Sequence, residues 1–370
     1  MEKVRFGILG LGNQGSLYRR IITEGQVTGA CLTAVCDIDE GKRNAHKESF
    51  PDSPVFASAE ELFASGACDV VMIETPHYSH PELAIQAMAA GLHCIVDKPA
   101  GVYTKQVKEM LHAHKEKYPD RLLGIMFNQR TNPIFKRMKE MIASGMLGEI
   151  KRTNWIITDW YRSDSYYKSG AWRATWEGEG GGVLYNQSPH QLDLFSWIVG
   201  MQPTKVRAFC HFGKWHDIEV EDDVTAYVEY ANGATGAFIT STADAPGTNR
   251  FEITGDLGTL IYDKGKLTFR ALAMSEREWC HTTDKGFSGP EFTESVIEIN
   301  EENPQHKGII QNVTDTLLGK ASLYAPAEDG LNGVMLANAM HLSAFLDKAV
   351  EIPIDDELFY EELQKRIHKA

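Results

Sequence analysis

From its start to about Phe127 the chain alternates short apolar runs with amphipathic stretches. Val4–Gly10, Cys31–Asp37, Val55–Ala57, Asp69–Glu74, His93–Val96 and Leu122–Phe127 read as strands, and Pro81–Ala90 and Tyr103–Glu116 as helices between them. Nearly continuous apolar strands separated by helices predict a doubly wound parallel sheet, covered on both faces. Such sheets place ligands at the carboxyl ends of their strands, which here carry Asp37, Thr75-Pro76, Asp97-Lys98-Pro99 and Asn128.

Past Gly145 and Gly148 the pattern changes. A strand is expected over 149–161, then an aromatic, polar stretch, then Gly180-Gly181-Gly182 before a helical pattern. From Lys205 to Phe269, strand-length segments alternate apolar and polar residues, with Asn232-Gly233 as a hairpin signal, and predict an open, mostly antiparallel sheet. Val224, Ala226, Val228 and Tyr230 share one face of it, while Thr225 and Tyr227 point the other way. A face left uncovered by helices points to a homodimer or homotetramer. Helical patterns return at Gly308–Leu318 and Gly330–Ala349. The expectation is α/β, with a dinucleotide-binding domain over 1–127 and a substrate-binding and oligomerisation domain over 128–370.

The first domain is called dinucleotide-binding because of Gly10-Leu11-Gly12-Asn13-Gln14-Gly15, which lies between the first strand and a helical stretch. Glycines there permit a tight turn and close approach of a pyrophosphate, whose charge the N–H groups at the helix start stabilise. About 20 residues further on, Asp37 ends the second strand, where an acid binds the ribose 2′-hydroxyl of NAD. Asp37-Ile38-Asp39 would repel a 2′-phosphate, although Lys42 and Arg43 leave NADP open.

Composition narrows the function further. A net charge of −14 and the lack of any long Lys/Arg run argue against nucleic acid. No segment approaches the length of a membrane span, no signal-like stretch opens the chain, and six cysteines lie without C-x-x-C spacing, so a cytoplasmic location is expected.

Two groups are candidates for chemistry. Lys98, at a strand end before Pro99, points at the ligand crevice, and beside a positively charged nicotinamide its ammonium suits proton exchange near neutral pH. Asn186, His190 and Asp193 would share one face if the segment were helical, with Pro189 placing the helix start nearby. A histidine near a helix N-terminus is pushed towards its neutral, proton-accepting form; a packed core histidine is the alternative. The donor set lacks the cysteines and second histidine of a zinc site, so no metal is expected. Between these groups, Trp155 to Trp176 mixes aromatic rings with Asp159, Tyr161, Arg162 and Arg173, which suits sugars or cyclitols and equally suits core packing.

With these residues the chain resembles the Gfo/Idh/MocA oxidoreductases, which include glucose–fructose oxidoreductase and inositol dehydrogenases. The matching pieces are Gly10 to Gly15, Thr75-Pro76-His77-Tyr78-Ser79-His80, Gly91 through Asp97-Lys98-Pro99, and Gly180 through His190 to Asp193. The resemblance implies a Rossmann domain followed by an α/β domain, and NAD(P)-dependent oxidation of a carbohydrate-like alcohol. It implies Lys98, His190 and Asn186 as catalytic residues, meeting at one cleft. Gly10 to Gly15, Asp37, Thr75, Pro76, His80, Asp97 and Lys98 would bind the cofactor. Asn128, Asp159, Tyr161, Arg173, Asn186 and His190 would bind substrate. The family's E-K-P is Asp97-Lys98-Pro99 here, and Asn186 replaces an aspartate that pairs with the histidine in inositol dehydrogenase-like members. The proton-transfer role therefore shifts towards Lys98 or a relay with His190. Alternatives are a ketone or imine reductase, and a dinucleotide- and sugar-sensing regulator without turnover.

Overall fold

A computed structural model describes residues 3–368. The chain divides into two units, Met1–Thr131 with Pro304–Val334, and Asn132–Asn303 with Met335–Ala370. The segment 304–334, expected with the second domain, thus belongs to the first.

In the first unit, β1 (Val4–Leu9), β2 (Ala30–Cys36), β3 (Val55–Phe56), β4 (Val70–Ile73), β5 (His93–Val96) and β6 (Leu123–Ile125) form one parallel sheet in the order β3-β2-β1-β4-β5-β6. Successive strands run outwards from β1 in opposite directions, so the crevice beyond β1 and β4 is the topological switch point. All four residues of β4 are buried, as a strand covered on both faces requires. Ile309, Ile310, Val313, Ala325, Ala327 and Val334 of the return segment join the same core. Strand β6 is shorter than its apolar run: the Phe127 N–H turns back onto the Ile125 carbonyl at 2.8 Å, diverting the chain into a tight turn over Asn128–Thr131.

The second unit holds β7 (Ile150–Ile157), β8 (Pro203–Phe212), β9 (Glu221–Tyr230), β10 (Thr235–Ser241), β11 (Asn249–Gly255), β12 (Gly258–Asp263), β13 (Lys266–Leu272), β14 (Phe292–Ile297) and β15 (Val350–Glu351), in the order β14-β13-β12-β11-β7-β10-β9-β8-β15. Only β7 and β10 pair in parallel; the other neighbours are antiparallel. One register row, Leu267, Tyr262, Phe251, Trp155, Phe238, Ala226 and Ala208, runs across the sheet wholly buried. Trp155 stacks on Phe251 at 4.3 Å, and Phe135 and Phe195 from the helices Pro133–Ala143 and Pro189–Trp197 close over the row. On the opposite face Ile156, Phe209 and Tyr227 are 39%, 54% and 47% exposed.

Candidate active site

Both halves of the dinucleotide signature are built by backbone contacts in the first unit. At Gly10 (φ 102°) an added Cβ would lie 2.5 Å from the Glu74 carbonyl oxygen, and at Gly15 1.8 Å from that of Gly10, so both positions exclude side chains. At Gly12 an added Cβ would meet nothing within 4 Å, which leaves this face open to a ligand. Gly12 starts the helix Asn13–Thr23 with no side-chain cap and no acid in its first turn, so its N–H groups suit a pyrophosphate. Leu11 donates its N–H to Asp37 Oδ2 at 2.6 Å, fastening the glycine turn to the end of β2. Asp37 also accepts from the Asp39 N–H at 2.9 Å and from Lys42 Nζ at 3.3 Å, while Arg43 donates to the Asp37 and Ile38 carbonyls. Both nearby cations are thus engaged by Asp37 or its backbone.

The next two strand ends meet at His80, which is 1% exposed. Its Nε2 lies 2.7 Å from the Thr75 carbonyl and its Nδ1 2.8 Å from the Pro99 carbonyl. Burial pushes the imidazole below its ordinary value, and the two carbonyls push the other way and lose. A neutral ring has one N–H to donate, so His80 bonds one of these carbonyls and stands within 2.8 Å of the other, between the turns after β4 and β5 and beside Asp97 and Lys98. Thr75 accepts from the Ser79 hydroxyl at 2.7 Å, and Pro76 is exposed. Asn128 is 3% exposed and donates Nδ2 to Gln305 at 2.7 Å, so it ties the return segment to the first unit.

In the second unit, the helix begins at Pro189, and Asn186 lies before it in a turn closed by its own N–H on Gly182 at 3.0 Å. The single helical face expected for Asn186, His190 and Asp193 is therefore corrected: proline at the first helical position leaves Asn186 outside, and only the other two share the helix. His190 is half-buried and Asp193 buried. The preceding glycines let the chain press on β9, since a Cβ at Gly182 would lie 2.0 Å from the Glu221 carbonyl. Glu221, fully buried, accepts from the N–H groups of Gly182 and Leu184 at 2.9 and 3.0 Å, and its carboxylate lies 2.9 Å from His341 Nε2.

Sequence reasoning missed both Glu221 and Glu179. Asn186 donates Nδ2 to Glu179 and accepts at Oδ1 from the Tyr166 hydroxyl at 3.0 Å and from Gln187 at 3.1 Å. Arg173 donates to the Tyr166 hydroxyl at 3.1 Å, lies 4.0 Å from Glu179 and stacks over the Tyr166 ring at 4.7 Å. Asn186 thus contacts a carboxylate, that of Glu179, which is 3% exposed. Asp159 and Tyr161 are exposed and belong to no part of this network that the structure shows. Arg173 also edges a cleft of about 490 Å³ with Tyr167, Lys168, Asp217 and Glu219; Asn186 and His190 do not line it. The aromatic stretch divides, with Trp155 and Trp176 in the core and Tyr161 and Trp172 at the surface. Among the described residues no cluster of three or more His, Cys, Asp or Glu is placed to hold a metal ion.

The profile described as the oxidoreductase family, NAD-binding Rossmann fold, matches residues 4–119, and that of the GFO/IDH/MocA C-terminal domain matches residues 135–261. The chain belongs to the GFO/IDH/MocA family. Its first unit is accordingly an NAD-binding Rossmann fold, the cofactor the glycine turn and Asp37 fit. Among family relatives, the uncharacterized oxidoreductase YdgJ of Escherichia coli (strain K12) is 28% identical over 54% of this chain, a match spanning only 55% of that relative's length. The myo-inositol 2-dehydrogenase of Thermotoga maritima is 24% identical over 72% of this chain and 77% of its own. The crystal structure of the WlbA dehydrogenase from Bordetella pertussis, in complex with NADH and UDP-GlcNAcA, superimposes with a TM-score of 0.79 at 25% identity, covering 95% of this chain and all of that one.

Proposed function

We propose that this protein oxidises a secondary alcohol of a sugar, cyclitol or sugar derivative, with NAD as hydride acceptor. The observation that carries the reading is the contact of buried His80 with Asp97-Lys98-Pro99 at a strand end of the same sheet that holds the glycine turn. Bound NAD supplies the acceptor for the hydride that leaves the carbinol carbon. The chain's residues handle the remaining proton: the carbinol C–H bond breaks, the oxygen gains alkoxide character, and its proton passes to Lys98, with His190 as the second hydrogen-bonding group. Lys98 takes that proton as the neutral amine, and the ammonium so formed, within hydrogen-bond reach of the oxygen, favours the developing alkoxide over the neutral alcohol. Glu179, through Asn186, Tyr166 and Arg173, holds a polar frame for hydroxyl groups in the second unit. In reverse, the same residues would donate a proton to a ketone. The relatives support a polyol-like substrate: one acts on myo-inositol, and another was solved with a nucleotide sugar.

Asp37 supports NAD over NADP, since its carboxylate and the engaged Lys42 and Arg43 leave little to attract a 2′-phosphate. The test is a screen of NAD+ and NADP+ reduction against inositols, aldoses, anhydrosugars and glycosides, followed by the absorbance of reduced nicotinamide. Turnover with NAD+ on one of these classes is expected; tight NAD binding without turnover across them would sink the proposal. The exposed Ile156, Phe209 and Tyr227 suit a second copy of this chain. No described helix is long and apolar enough to cross a membrane, and the six cysteines are all thiols, which suits the reducing cytoplasm.

A further inference from the structure

The register of β4 and β5 pairs Ile73 with Val96, so the next residues, Glu74 and Asp97, emerge side by side at the carboxyl ends of adjacent strands. Glu74 stands at the switch point itself: its N–H donates to the Leu9 carbonyl at 2.8 Å, and its own carbonyl is what keeps Gly10 free of a side chain. Both of its carboxyl oxygens are shielded from solvent, and no N–H or hydroxyl among the described residues donates to either. The neighbouring charge that acts on them is that of the Asp97 carboxyl. Two ionised carboxylates offer each other only acceptors, so a buried, donor-free carboxyl beside a second one is relieved by a proton.

Tyr18, His306, His80 and Lys98 surround the pair. Tyr18, on the helix that follows the glycine turn, is fully buried, its hydroxyl has no hydrogen-bond partner among the described residues, and it feels the charges of both Asp97 and Glu74. His306 from the return segment packs on Tyr18 with ring centres 5.4 Å apart, and His80 lies under Asp97. Burial pushes both imidazoles down, towards their neutral forms. Lys98 is the cation that reaches Glu74, and its pull is outweighed by burial and Asp97, which push the Glu74 carboxyl well above the usual carboxylate range. A dinucleotide bound across Gly10 would bring further phosphate charge to this place.

We propose that Glu74 and Asp97 hold a single proton between them at neutral pH, and that this singly charged pair is the form that admits the dinucleotide. The inference deepens the NAD reading and rests on it. Loss of the proton puts an extra negative charge beside the pyrophosphate turn and weakens cofactor binding. NADH is the more sensitive form, because it lacks the positive nicotinamide of NAD+.

Two measurements on the full chain test this. In the infrared spectrum at neutral pH, a carbonyl stretch of a protonated carboxylic acid is expected and should vanish in Glu74→Gln, a near-isosteric change. Absence of that band from the unaltered protein overturns the shared proton, whether or not a dinucleotide binds. In fluorescence titrations with NADH between about pH 6 and about pH 10, Kd should rise with pH, approaching about tenfold per pH unit for one linked proton. Glu74→Gln, which has nothing to ionise and still donates towards Asp97, should flatten the profile. Superimposable profiles, sloping or flat, overturn the link to the cofactor. The acid band without NADH binding at any pH in either protein would instead overturn the NAD reading, and the inference with it.

Discussion

Every residue of β4 in the parallel sheet is buried, whereas along β9 in the mixed sheet buried Val224, Ala226 and Val228 alternate with exposed Thr225 and Tyr227. The first sheet has no face to spare, so its polar chemistry gathers at strand ends, around Asp37, Glu74, Asp97 and Lys98. The second sheet puts one face into its core and leaves Ile156, Phe209 and Tyr227 outside, so its polar chemistry gathers in the loops and helix before β8. Several histidines differ between the units as well. His46, His80, His93 and His306 of the first unit are held below their ordinary values, with burial the leading cause, while His211, His216 and His341 of the second unit lie against Asp223, Asp222 and Glu221. The first unit also pairs a buried charge, Arg130 with Asp329 at 2.6 Å, so the units differ in where their polar groups gather rather than in whether they pair them.

The strongest challenge to this contrast is a truncation on each side of the mixed sheet. Trp155→Ala should cost about 3–5 kcal/mol of stability in denaturant unfolding, and Phe209→Ala on the far face should stay within about 0.5 kcal/mol in the monomer. Equal losses would mean that the open face is packed after all. Next in size, Lys98→Ala should lower kcat by about a hundredfold or more. A kcat close to that of the unaltered protein removes strand-end chemistry from the reaction.

Acid should then separate the units. His46, His80, His93 and His306 of the first unit have folded values below the unfolded one of about 6.5, so unfolding takes up protons once pH falls under that value. Their contribution to stability is present above it and is lost as pH drops through the folded values. Thermal unfolding midpoints at about pH 7.5 and about pH 5.5 should therefore fall, with local hydrogen exchange rising first in the Rossmann unit; exchange rising first in the mixed-sheet unit would reverse the assignment. The smallest expected change in stability, within about 0.5 kcal/mol, is that of Tyr227→Lys combined with Phe209→Lys. Sedimentation should nevertheless show a smaller species; an unchanged sedimentation coefficient would leave the open face without its proposed partner.

The two sheets also differ in how openly the sequence announces them. Val70–Ile73 and His93–Val96 are continuous apolar runs, and Val224 to Tyr230 alternate cleanly, so both sheet types and the strand-end residues could be read directly. What escaped depends on contacts between distant residues. Gln311 bonds to Thr28 across 283 positions, and no local pattern reveals that the return segment completes the Rossmann unit. The glycines at 180–182 stood out, but their partner Glu221 lies 39 positions away from Gly182. Glu179 looks like an ordinary acid in Trp176-Glu177-Gly178-Glu179, and only folding closes Asn186 onto it. Pro189 did carry a local signal, and its place at the first helical position excludes Asn186 from the helix.

The return of Pro304–Val334 to the first unit has a consequence for biosynthesis. Ile309, Ile310 and Val313 fill the Rossmann core, yet they leave the ribosome only after every strand from β7 to β14 has been made. The domain that begins first thus cannot close first, and its nascent form must wait with an apolar gap exposed. A gene fragment stopped at residue 131 would leave part of the core uncovered, whereas supplying the 304–334 peptide in trans should restore its cooperative melting.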